Sequence, residues 1–152
     1  MTDDELRRRS RILAHLVTVV LMVLLFAVAV ELLAVARGRL DIGYIVIVHL
    51  ALPFYLWAIW TVRRLILAVG QGAGHDRLLA VMLARVGIAL FLGGISTVFA
   101  GPLLARLLNG HGPIAYYDVA AITVGVVGLA LVVVAHLLGQ AADMRAELDE
   151  IV

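Results

Sequence analysis

The stretch "AHLVTVVLMVLLFAVAVELLAV" (residues 14–35) decides the fold. His15, Thr18 and Glu31 alone interrupt its apolar character. As a helix rising 1.5 Å per residue, its 22 residues reach about 33 Å, enough to cross about 30 Å of hydrocarbon. Three further runs have this length and character: Gly43 to Val62, Val86 to Leu107 and Val119 to Leu138. The sequence therefore predicts an all-α integral membrane protein, a bundle of four antiparallel spans forming a single domain over residues 1–152.

Composition agrees with lipid as the solvent. Hydrophobic residues make up 64% of the 152, charged residues 15%, and mean hydropathy is +1.09. A soluble domain carries about 25% charged residues and disperses them, whereas here they cluster between apolar runs. The chain has no cysteine, which excludes disulfides, thiol nucleophiles and thiolate metal ligands. All 12 basic residues are arginine, and a net charge of +1 gives no argument for nucleic acid. The first run follows Arg7, Arg8, Arg9 and Arg11 and precedes "AVA" (34–36), as in a signal peptide. Its apolar core exceeds the 7–15 residues of a cleaved signal, so a retained helix is expected.

Arginines orient the spans. Four lie in the amino tail, and Arg63, Arg64, Arg77 and Arg85 lie between the second and third spans. Arg37, Arg39 and Arg106 fall on the other side. Positive charge stays in the cytoplasm, so both termini are expected inside, in a bacterial cytoplasmic membrane. Tyr44, Tyr116 and Tyr117 then mark outer ends, and Trp57 and Trp60 lie towards an inner one. Helices should also project past the surface. "TDDE" (2–5) is a capping box, followed by Asp3–Arg7, Asp4–Arg8 and Glu5–Arg9 at i,i+4. The second helix should run through "RRLILAV" until "GQGAG" (70–74), and Asp76 can cap the third.

Glu31 is the polar exception to be explained. It lies about four residues below the outer end of span one, and His49 about six below that of the antiparallel span two, so their depths differ by about 3 Å. They form a candidate intramembrane polar pair. An ionisable group in a span is costly and is paired or wetted. The pair reads first as a structural clasp, or as a Glu snorkelling towards Arg37, and second as a proton or cation site. Pro53 removes the N–H that the His49 carbonyl would accept and predicts a kink there.

Other motifs carry packing chemistry. Ala89, Gly93, Thr97, Gly101 and Ala105 place a small residue at every fourth position, with Ala121 and Gly125 a shorter match on the last span. Such stripes allow close helix approach, within the chain or in a homo-oligomer through Ala89, Gly93, Thr97 and Gly101. "GQGAG" lacks the Lys and spacing of a phosphate loop and follows no strand. His15, His49, His75, His111 and His136 include no close pair of zinc-ligand type, and no Ser/His/Asp set occupies a nucleophile elbow. No enzyme, metal or cofactor is expected.

The carboxyl tail, "LLGQAADMRAELDEIV" (137–152), is amphipathic. Leu137, Ala141, Met144, Leu148 and Ile151 form an apolar stripe; Gln140, Asp143, Glu147 and Glu150 form an acidic one beside it. A helix resting on anionic lipid would carry basic residues, so this stripe should meet protein. The chain's own helix ends, with Arg7–Arg11 facing the acids, are one partner. A separate basic protein is the other.

"RRLILAVGQGAGHDRLLAVMLARVGIAL" (63–90) and "VGLALVVVAHLLGQAADMRAELDEIV" (127–152) resemble a bacterial family of small four-span membrane proteins, domain of unknown function 2975. The shared features are an Arg-flanked hairpin leading to "RVG" and a final helix ending in an acidic "L-x-x-E" tail with terminal Val. "GAGHD" replaces the family's Gly-x-x-Phe hairpin feature. The resemblance implies no assigned activity, and genes often adjacent to a small helix-turn-helix regulator. Three functions remain open: a protein–protein contact protein tethering such a basic regulator through Asp143, Met144, Glu147, Leu148, Glu150 and Ile151; a small ion-coupled transporter or channel using Glu31 and His49; and a purely structural membrane subunit. Direct nucleic-acid binding is not expected.

Overall fold

The computed structural model describes residues 3–38, 42–70 and 76–151, with side chains described for 8–38, 43, 45–69 and 77–148. Every element among them is helical: α1 Asp3–Ala36, α2 Ile42–His49, α3 Leu52–Gly70, α4 Asp76–Ile95, a π-helical segment Ser96–Ala100, α5 Gly101–Asn109 and α6 Val119–Ile151. In hydrocarbon no water can satisfy a backbone N–H or C=O, so each crossing segment must close its own ladder as a helix. Four helical stretches are long and apolar enough to cross a membrane: Arg8–Ala36, Ile45–Val69, Arg77–Asn109 and Val119–Leu148. The Thr2 cap, the first three i,i+4 side-chain pairs, the Asp76 side chain and residues 71–75 lie outside the described residues.

The rods pack in chain order. α1 lies against α3, α3 against α4, and α4 against α6, while α2 meets α5. The resulting four-helix arrangement is an open row in which α1 and α6 share no extensive packing among the described residues. Each contact is antiparallel. Thr18 faces Arg63 at one end of the first pair and Glu31 faces His49 at the other. Ala80 lies by Gly139, Gly87 by Gly128 and Gly94 by Ala121, so α6 descends as α4 rises. Both described ends of the chain therefore emerge on one face of the row, here called the tail face; the opposite one is the far face.

The α4–α6 contact is backbone on backbone. A Cβ on Gly87 would come 2.5 Å from the Gly128 carbonyl oxygen, and one on Gly94 would come 2.7 Å from that of Ala121. Lipid tails are as apolar as leucine, so helices in a bilayer associate through such close van der Waals contact. The small-residue row expected to match Ala121 and Gly125 instead faces the second span. Gly93 lies under the Tyr55 ring and Gly101 beside the Ile47 carbonyl, and Ala89 is fully buried. Ala121 and Gly125 meet Gly94, one residue and about 100° around the helix from that row. The row through Ala89, Gly93 and Gly101 is thus covered within one chain.

Two prolines break the spans. Pro53 has no N–H for the His49 carbonyl, and α2 stops at His49, with Leu50 and Ala51 in a turn before α3. Tyr55 and Phe54 then both donate to the Ala51 carbonyl, at 3.4 and 3.2 Å. Pro102, in the first turn of α5, likewise cannot serve the Val98 carbonyl four residues earlier. The Tyr116 N–H does so from the far-face loop, at 2.8 Å, tying that loop onto the π segment.

Candidate functional site

α1 touches its neighbour along a narrow seam. Ala14 is buried and Val17, Leu21, Leu24 and Val28 are half-buried, a spacing of three and four residues that keeps one thin stripe facing a partner helix. None of the residues in the most apolar eighteen-residue stretch of α1 is buried. The next seam position is Glu31, so the carboxylate faces the second span because the heptad spacing puts it there.

Glu31 Oε2 lies 2.9 Å from His49 Nε2. The histidine side chain is 21% exposed and the carboxylate 48%. The other ring nitrogen, Nδ1, donates to the Ile45 carbonyl one turn below, at 3.1 Å. His49 is the last residue of α2, held where the helix breaks before Pro53. Arg37, the other partner expected for Glu31, forms no ion pair with it.

A second polar contact joins the same two rods nearer the tail face. Arg63 Nε donates to Thr18 Oγ1 at 2.9 Å, and that hydroxyl donates to the Ala14 carbonyl at 2.7 Å. Thr18 and Glu31 stand thirteen residues apart on α1, about 20 Å, so a polar contact closes the seam near each end. The neighbouring Arg64 lies 4.4 Å over the Trp60 ring, its charge carried outwards on an aromatic face. Sequence reasoning missed the Thr18–Arg63 contact. Its signal was available: Thr18 is the one hydroxyl within the first run, at the depth of the first hairpin arginine.

Two cavities open on the far face among the described residues. One, of about 320 Å³, lies between α2, the π segment, α5 and the loop, and Ser96, Thr97, Tyr116 and Asp118 give it polar edges. The Thr97 hydroxyl donates to the Gly93 carbonyl at 3.0 Å and lies 3.5 Å from the Tyr55 hydroxyl. The other, of about 460 Å³, runs between α4 and α6 under Tyr116 and Tyr117 and is almost wholly apolar. Asp118 Oδ1 caps α6, accepting from the N–H of Ala120 at 2.9 Å and of Ala121 at 3.3 Å. Among the described residues no three His, Asp or Glu side chains converge as metal ligands. His15 donates to the Arg11 carbonyl, and His136 pairs with Gln140 one turn on.

On the tail face α6 runs unbroken from the last span to Ile151. The Ala80–Gly139 register brings the first residue of α4, Asp76, level with Asp143. The helix therefore overhangs its neighbour by about two turns. Met144 is 59% and Leu148 65% exposed, and Asp143 and Glu147 are exposed beside them. α4, which begins at Asp76, does not run alongside this stripe. The side chains of residues 1–7 and the hairpin residues 71–75, the other helix ends expected to meet it, lie outside the described residues. The side chains of Glu150 and Ile151 lie outside the described residues.

A family model described as "Protein of unknown function (DUF2975)" matches residues 13–152. The chain belongs to that family. DUF2975 membership extends from the first span to the last residue, beyond the two segments that carried the resemblance. No curated protein and no solved structure matches the chain.

Proposed function

We propose that this DUF2975 protein is a non-enzymatic membrane anchor that presents the overhanging end of α6 to a small basic cytoplasmic protein. The observation that carries the reading is the exposure of Met144 and Leu148 beside Asp143 and Glu147, on a helix that outruns its neighbour. An amphipathic helix docks by its apolar stripe in a partner's groove, and complementary charge steers the encounter. The arginine distribution supports a cytoplasmic tail face and an N-in/C-in topology in a bacterial inner membrane. A basic helix-turn-helix regulator, the neighbour that the family resemblance implies, fits the acidic stripe. The test uses nanodisc-embedded protein and such a regulator as probe. Truncation after Leu138 and the Met144→Asp/Leu148→Asp double variant should each abolish capture while insertion persists. Capture unchanged in both ends this reading.

The Glu31–His49 contact favours a second reading, a small ion-coupled transporter. Proton-driven flux into liposomes should then be lost in Glu31→Gln and in His49→Ala. Flux that survives both changes removes the pair from any transport mechanism.

A further inference from the structure

Four atoms follow one another at the far end of α1: the Ile45 carbonyl oxygen, His49 Nδ1, His49 Nε2 and Glu31 Oε2. A carbonyl oxygen only accepts, so the Ile45 contact requires a proton on Nδ1. With Nδ1 as the N–H, a neutral ring presents a lone pair at Nε2. An ionised carboxylate presents another, and at 2.9 Å the two repel. A proton between Nε2 and Oε2 turns that repulsion into a hydrogen bond. It is supplied either as imidazolium against carboxylate or as neutral imidazole against carboxylic acid. Both forms carry the same number of protons and no net charge, the condition a bilayer favours for an ionisable pair within a span.

We infer that Glu31 and His49 together form a binding site for one proton, shared across the α1–α2 contact. Neither residue alone is the site. With the proton gone, the tautomer that keeps the Ile45 bond loses the Glu31 bond, and the opposite tautomer does the reverse. The pair then keeps one hydrogen bond where it had two. The Glu31 carboxylate is about half exposed and lies at the far-face end of the seam. Among the described residues no other charged or titratable group on the packed elements contacts the pair. Arg37 on α1 and Arg106 on α5 form no ion pair with Glu31, Tyr55 of α3 turns to Thr97, and Asp118 caps α6. Arg39, Asp41 and the Tyr44 side chain lie outside the described residues. This inference is independent of the tail and requires no transport.

The test is side-chain NMR of ¹⁵N,¹³C-labelled protein in nanodiscs, with the His49 signals identified by their loss in His49→Ala. At neutral pH the wild-type ring should show a protonated Nδ1. Raising the pH should then remove one proton in a single step, reported together by the His49 ring nitrogens and the Glu31 carboxyl carbon. Glu31→Gln preserves the contact without an acid, because the Gln amide N–H donates to Nε2 of a neutral ring. Its ring signals should stay constant over the same pH rise, the step being wholly lost. A bare Nδ1 in the wild type, no shared step, or a step that survives in Glu31→Gln each overturns the assignment.

Discussion

Gly87 and Gly128 meet so closely that a methyl group on either would press into the other's carbonyl oxygen, at 2.5 and 2.6 Å. Neither obstacle is a flexible side chain, so relief requires the helices to part. Gly87→Ala or Gly128→Ala should destabilise the protein by about 1–3 kcal/mol, the usual cost of overpacking. Gly125→Ala is the control, since its Cβ meets only the Gly94 Cα at 4.0 Å. Reversible unfolding in mixed micelles distinguishes them: equal losses at all three positions would refute the backbone contact.

The Arg63–Thr18 contact should appear as an interaction energy. Thr18→Val removes the acceptor and leaves an arginine donor in the seam, and Arg63→Leu removes the donor. A double-mutant cycle should give a coupling of about 0.5–2 kcal/mol, as for residues sharing one hydrogen bond. Additive losses would mean the two side chains do not cooperate.

Pro102 controls the far-face loop through the carbonyl it leaves free. Pro102→Ala restores an N–H that competes with Tyr116 for the Val98 oxygen. The Tyr116 amide should lose about tenfold in hydrogen-exchange protection, corresponding to roughly one net hydrogen bond, while amides in the middle of α6 keep theirs. Unchanged protection at Tyr116 would show that the loop is held by other contacts.

Asp118→Ala should cost about 1 kcal/mol, the usual loss for an N-cap, and Asp118→Asn should recover most of it. Both are read by the same unfolding measurement. A loss that Asn does not restore would point to the carboxylate charge and away from the capping bond to Ala120 and Ala121.

Depth was legible in the sequence and azimuth was not. Counting residues from the ends of two apolar runs was enough to put Glu31 level with His49, because helical rise is fixed. Pro53 marked the break beside them, because a missing N–H is a local fact. The face that a small residue presents depends on which neighbour packs there. Gly93 and Gly94 differ by one position and face α3 and α6 respectively, and no periodicity in α4 chooses between them. Arg63 and Thr18 were unremarked for a similar reason: forty-five residues separate them, and each has a bland reading alone. The tail stripe was visible, but its exposure depended on where α4 begins relative to α6.

A rod fastened to its bundle by one thin edge has most of its circumference wetted by acyl chains. For α1 this makes bilayer thickness a mechanical input: a thicker or thinner membrane must be met by tilt, and tilt pivots about the hydrogen-bonded ends. Lipid composition will therefore reach this protein first through its amino-terminal helix.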